Sequence, residues 1–190
     1  MAKVAIILTQ GFADWEYGLI AGTGRQYYGL DICFFAPETG PLKSLGGLDV
    51  VVSNKIDEVV GWGPEVVAVI GGTSWESEDS SAVPDLLADY YSRGGIVAGI
   101  CGGVLALARS GLLNSNPHTT HALDYLSQNA DGYSGDEHFC PGRPVVFENR
   151  VITAPGTAPV SFSAAVFEAA GVGAEIVQQF KSMMEAEHLS

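Results

Sequence analysis

The sequence predicts an α/β sandwich with a largely parallel central sheet. Three observations carry that expectation. Residues 4–8 and 96–100 are short continuous apolar runs, and the strand at 65–70 becomes one after Glu65, the pattern of strands covered on both faces. Stretches of helical spacing follow them, and buried strands alternating with helices build a parallel sheet with helices on both sides. Glycine pairs at 71–72, 94–95 and 102–103 then mark where elements end.

Taken in order, the strand at 4–8 leads through Thr9-Gln10-Gly11 to Asp14, the expected N-cap of a helix over 15–28. A second strand covers 30–35. Residues 42–53 carry Gly46-Gly47 between apolar stretches and predict a hairpin-like excursion. The strand at 65–70 stops at Gly71-Gly72. A helix with Pro84 near its start runs to Arg93 and ends at Gly94-Gly95. After the strand at 96–100, helical spacing resumes over 103–110, and a short helix is expected over 122–128. Residues 129–144 are rich in Gly and acids and predict a surface loop. Strands at 145–147 and 151–153 flank the turn Glu148-Asn149-Arg150. Pro159 opens a helix, and a last one covers 174–187. Without a repeat or linker, residues 1–190 are expected to form one domain.

Composition narrows the function classes. With 47 % apolar residues and only 16 % charged ones the chain can build a core, which excludes a disordered tail. Nine Lys and Arg against 22 Asp and Glu give a net charge of −13. Such a surface repels phosphate backbones and anionic lipids, so neither nucleic acid nor membrane is expected as a partner. Three cysteines, Cys33, Cys101 and Cys140, without CxxC spacing argue against a disulfide scaffold or a structural zinc. The absence of a signal-like N-terminus or a long apolar run predicts a cytoplasmic location.

Ligands of open α/β sheets bind outside the carboxyl ends of the strands. Three segments deliver unusual residues there: Gly11-Phe12-Ala13-Asp14-Trp15-Glu16, Gly71-Gly72-Thr73 and Gly99-Ile100-Cys101-Gly102-Gly103. The last has the small-x-nucleophile-x-small pattern of a residue perched between strand and helix, which predicts Cys101 as a nucleophile. The helix beginning at Gly103 is expected to favour its thiolate. The amides of Gly72 and Gly102 are candidates for an oxyanion hole. Glu16, beside a thiolate at a dry sheet edge, would have a raised pKa and could donate or move a proton. Trp75 is placed to line the pocket mouth, in a stretch that continues with Glu76, Glu78 and Asp79. His118 and His121 form His-x-x-His without a third ligand, so no metal is expected. Cys33 reads as a core residue, and His138 with Cys140 as part of an acidic loop.

These segments, together with Ala154-Pro155-Gly156-Thr157-Ala158, resemble the ThiJ/PfpI superfamily in order and spacing over almost the whole chain. The resemblance implies a flavodoxin-like three-layer sandwich, with Cys101 at the elbow and Glu16 as the acid hydrogen-bonded to it. It also implies Gly72 and Gly102 as oxyanion donors, His121 as the nearby histidine, Gly156 in the pocket wall, and a homodimer. Gly102 stands where the protease-type members carry histidine, and no His-x-Glu of the glutaminase type occurs. Isonitrile hydratase-like members carry Asp and Thr where this chain has Glu16 and Gly102. The expected activity is therefore glyoxalase- or deglycase-like attack on a small carbonyl electrophile, without a cofactor. A redox-sensing Cys101 and a small amidase are the alternatives. Asp14, Glu16, Glu76, Glu78 and Asp79 near the site favour a neutral or cationic substrate.

Overall fold

The computed structural model describes residues 1–76 and 82–186. Strand β1 (Lys3–Ile7) enters helix α1 (Asp14–Tyr28) and is followed by β2 (Asp31–Ala36), the hairpin β3 (Gly40–Lys43) and β4 (Asp49–Val52), and the short β5 (Asn54–Lys55). Next come α2 (Val59–Trp62), β6 (Val66–Val69), α3 (Ala82–Ser92), β7 (Ile96–Ile100), α4 (Gly103–Arg109) and α5 (Leu123–Asn129). Strands β8 (Val146–Glu148) and β9 (Val151–Ala154) precede α6 (Pro159–Ala169) and α7 (Ala174–Glu185). The main sheet has seven strands in the order β5-β2-β1-β6-β7-β9-β8, parallel except for β8. The five central strands, second, first, third, fourth and fifth in chain order once the short edge strands are set aside, follow the flavodoxin-like winding. That winding reverses direction between β1 and β6 and opens a crevice there.

Alternation along the strands fills two cores. Val4 and Ile6 of β1, Ala68 of β6 and Ile152 of β9 face α1, α6 and α7. Ala5 and Ile7, with Val67, Val69 and Val97, face α2, α3, α4 and α5. The first core is cemented by Tyr28, Phe167 and Phe180, whose ring centroids lie 5.0–6.3 Å apart in edge-to-face contacts. Each such pair adds about 1 kcal/mol beyond its burial.

The expected elements are present, with shifted ends and two differences in kind. Asp14 does not cap α1: Ala13 occupies that position and makes no side-chain cap. The Asp14 carboxylate instead accepts the Gly46 amide at 2.7 Å, and bonds from the Ser44 hydroxyl and Gly46 hold its pKa below the usual range. The hairpin turn is thereby pinned to the start of α1. The 129–144 stretch is also more tightly held than a free loop, because His118 and Phe139 form a parallel bridge across it. His118 N–H donates to the His138 carbonyl at 3.1 Å, and the Cys140 amide donates back at 2.8 Å. The expected end of the last helix at residue 187, like His188, lies outside the described residues. Among the described residues no helix is long and apolar enough to cross a membrane.

Close backbone packing predicts which glycines are irreplaceable. A methyl at Gly103 would run into the Val69 carbonyl of β6, which the sheet holds in place. Gly103→Ala should cost about 2–3 kcal/mol and lower Tm by about 5–10 °C. At Gly18 in α1 a methyl meets nothing within 4 Å, so Gly18→Ala should add about 0.5–1 kcal/mol. Thermal unfolding of the two variants checks both signs.

Candidate functional site

The loops after β1 and β6 meet across the crevice. Phe12 and Gly72 form an isolated antiparallel bridge, in which the Ala13 amide donates to the Gly71 carbonyl at 3.0 Å and the Thr73 amide to Gly11 at 3.2 Å. That stitch fixes the first turn of α1, so Glu16 points inward and is fully buried. Its Oε2 accepts the Gly71 amide at 2.7 Å. Its Oε1 accepts no N–H or O–H among the described residues, and the other group the carboxyl interacts with is the Cys101 thiol.

Cys101 follows β7 directly and has φ 56°, a left-handed conformation that costs a side-chain-bearing residue free energy. Two bonds hold it there. Its amide donates to Ala154 of β9 at 3.0 Å, and its carbonyl accepts the Val104 amide at 3.1 Å. Bare glycines surround it. A Cβ on Gly71 would stand 2.7 Å from both the Cys101 Cβ and Glu16 Oε2. A Cβ on Gly156 would stand 2.9 Å from the Cys101 sulfur and 3.2 Å from Glu16 Oε1. Sulfur and carboxyl Oε1 therefore face one small space in front of Gly156. Trp15 holds that wall, its indole N–H donating to the Gly156 carbonyl at 3.2 Å.

The candidate oxyanion amides lie side by side. The Phe12–Gly72 bridge uses the Ala13 and Thr73 amides and leaves that of Gly72 directed away from Phe12. A Cβ on Gly102 would lie 3.4 Å from the Gly72 nitrogen and 2.9 Å from Trp75 Cδ1. Trp75, expected at the pocket mouth, is instead fully buried, with its indole N–H donating to the Ile70 carbonyl at 2.8 Å, and packs against Gly102.

Electrostatics in this space differ from the thiolate expected above. Burial raises the Glu16 pKa to about 7, against the opposing pull of the Gly71 amide. Burial, and then the Glu16 charge, push the Cys101 thiol up to about 11, while the Gly102 amide pulls it down. Desolvation beside a carboxyl outweighs the amides at the start of α4, so the sulfur keeps its proton at neutral pH.

His121 is exposed, with its ring 4.7 Å from that of Tyr125 and its Nδ1 3.4 Å from the Thr120 hydroxyl. Among the described residues it makes no hydrogen bond to Cys101 or Glu16. Tyr125 was not expected here. Its hydroxyl is pushed up to about 12 by burial, and by the charges of Glu76 and Cys101. Its only sequence signal is its place four residues after His121. Of the acids expected near the site, Asp14 is turned to the hairpin and Glu76 is felt by Cys101, whereas Glu78 and Asp79 lie outside the described residues. His118 is buried between the Asn116 carbonyl and the Tyr133 hydroxyl, at 2.9 and 2.8 Å, as a structural group. Cys33 accepts the Asn54 side-chain amide at 3.2 Å. Among the described residues no three His, Cys, Asp or Glu side chains converge as metal ligands.

The raised Glu16 pKa gives a signed prediction. A carboxyl that titrates at about 7 in the fold and near 4.5 unfolded holds its proton more tightly when folded. Its contribution is complete below 4.5 and is lost as pH rises through 7. Glu16→Gln does not titrate, so its stability relative to the parent should improve across that window by on the order of 3 kcal/mol. Thermal unfolding at a series of pH values tests this, and a pH-independent difference would contradict it. The same substitution removes the carboxylate charge and should shift the alkylation pH profile of Cys101 downward.

Comparison with known proteins agrees with the geometry. Residues 2–169 match the DJ-1/PfpI family. The chain is 30% identical over 173 residues to the uncharacterized protease YoaZ of Bacillus subtilis, covering 87% of this chain and 82% of that protein. It is 29% identical to protein DJ-1alpha of Drosophila melanogaster, covering 94% and 82%. The crystal structure of the DJ-1 superfamily protein Atu0886 from Agrobacterium tumefaciens superposes with a TM-score of 0.91 at 33% identity, covering 99% of this chain and all of that one. With a strained cysteine facing a buried glutamate on a sheet of this winding, and these relatives along nearly its full length, the chain belongs to the DJ-1/PfpI family.

Proposed function

We propose that the chain is a cysteine-dependent enzyme that attacks small carbonyl electrophiles. The observation that carries this is the buried Glu16 carboxyl, whose Oε1 faces the same space as the protonated Cys101 sulfur and interacts with that thiol. When ionised, this carboxylate is placed to take the thiol proton. Sulfur then bonds to the carbonyl carbon, the carbonyl π pair moves to oxygen, and the amides of Gly72 and Gly102 hold that oxyanion. Return of the proton from Glu16 to the oxyanion gives a neutral hemithioacetal. For a 2-oxoaldehyde, isomerisation and addition of water release a 2-hydroxy acid and restore the thiol. No metal or organic cofactor enters these steps.

The protease names of two relatives describe those proteins. In this chain Gly102 follows the cysteine, so no histidine adjoins the sulfur in sequence. A protonated, half-buried thiol reacts slowly with peroxide, which supports turnover over redox sensing. The exposed side chains of Trp15, Leu45, Leu48 and Val51, on or beside the pinned hairpin, support a homodimer through that face. Leu48→Asp should then shift sedimentation from dimer to monomer.

The decisive experiment is turnover of 2-oxoaldehydes, simple amides and isonitriles by the parent protein and by Cys101→Ser. Production of 2-hydroxy acid from methylglyoxal should be lost in the variant by at least about a thousandfold. Turnover of the amide alone would favour an amidase. A parent inert to all three, with mild peroxide adding two oxygens at Cys101, would favour sensing.

A further inference from the structure

A groove of about 400 Å³ adjoins the Cys101 site on the side of its Gly156 wall. Thr120, His121 and Arg143 line one side, and Pro155 and Thr157, the neighbours of Gly156, line the other. Tyr125 packs against His121 with its ring tilted, the centroids 4.7 Å apart. None of the lining residues is acidic, in a chain whose net charge is −13.

Arg143 is the unusual member. The other four arginines have partners: Arg25 has Asp31, Arg93 has Asp89, Arg109 has the Asn129 carbonyl, and Arg150 has the carbonyls of Tyr91 and Gly95. Among the described residues the Arg143 side chain has none, although its own backbone carbonyl is fixed by the Thr119 hydroxyl at 3.0 Å. The groove also reaches Ala158 at the start of α6, whose first turn carries no acidic residue and whose dipole presents its positive end there. His121 brings a ring N–H to the same groove, and its Nδ1 lies 3.4 Å from the Thr120 hydroxyl.

Building on the proposed role of Cys101 as nucleophile, we infer that Arg143 and His121, with the hydroxyls of Thr120 and Thr157, bind a carboxylate carried by the carbonyl substrate. The substrates are then small 2-oxoaldehydes that also carry a carboxylate. Arginine suits this role because its planar fork matches the two oxygens of a carboxylate. The overall charge argues for a neutral or cationic substrate, but the distribution of charge beside Gly156 points to an anionic one.

Two alkylating agents test the subsite without requiring turnover. Iodoacetate and iodoacetamide form the same S–CH2 bond and expel the same iodide, but only iodoacetate carries a carboxylate. Peptide mapping follows each reaction at Cys101, with glutathione as the reference thiol. The rate ratio of iodoacetate to iodoacetamide at Cys101 should exceed that of glutathione by about tenfold. It should fall to the glutathione value in Arg143→Gln and be partly retained in Arg143→Lys. A parent ratio at or below that of glutathione, or one that Arg143→Gln leaves in place, overturns the inference. Protection of Cys101 from iodoacetamide by inorganic phosphate and not by acetate overturns its assignment to a carboxylate. In turnover to the 2-hydroxy acid, Arg143→Gln should raise KM for 4,5-dioxopentanoate, a 2-oxoaldehyde that carries a carboxylate, far more than for methylglyoxal. If no carbonyl compound is turned over, the catalytic role of Cys101 falls, while the alkylation ratio still decides the subsite.

Discussion

Everything at the carboxyl edge of the sheet depends on the stitch between Gly11–Ala13 and Gly71–Thr73. The two loops belong to β1 and β6, the strands between which the winding reverses. Left to themselves, such loops would splay apart around a solvent-filled crevice. The two cross-loop hydrogen bonds draw them together until Glu16 is sealed beneath Gly71. The approach is so close that a single methyl at Gly71 would strike both Glu16 and Cys101. The position of the acid, the height of the sulfur and the dryness of the space between them follow from that one contact.

Dryness sets the chemistry. In water a carboxyl and a thiol would titrate several pH units apart with little mutual effect. Here burial raises both, and the charge of one opposes ionisation of the other. At neutral pH the thiol keeps its proton while the carboxyl is part ionised, so a base stands beside an acid. The sulfur is therefore a resting thiol that becomes nucleophilic when its neighbour takes the proton, and the amides of Gly72 and Gly102 remain available for charge that develops on a substrate oxygen. An environment hostile to standing charge is well suited to transient charge.

Much of this was legible in the sequence, because burial on both faces leaves a mark. The unbroken apolar runs of β1, β6 and β7 announced a parallel sheet, and the glycines around Cys101 announced a backbone too crowded for side chains. The Asn149-Arg150 turn was equally readable, and both residues adopt positive φ between antiparallel β8 and β9. What escaped was decided by packing between distant segments. Asp14 has the composition of a helix cap, but the hairpin amide at Gly46 competes for it successfully. Tyr125 is buried within the field of Cys101 because α5 folds against α4, and nothing in its local pattern says so. Protonation of Cys101 is set by the depth of the pocket, which no spacing of residues encodes. The lack of a partner for Arg143 is likewise a property of the folded surface.

The wall in front of the sulfur has a consequence for biosynthesis. Cys101 and Glu16 are supplied by the first half or so of the chain, whereas Ala154, which receives the Cys101 amide, and Gly156, which covers the sulfur, come from the β9 end. While a nascent chain still lacks β9, the cysteine has neither its strained backbone nor its cover and behaves as an ordinary flexible thiol. Translation thus makes the reactive residue long before the enclosure that governs it. An oxidant or electrophile met during that interval would find a different cysteine from the one in the finished protein.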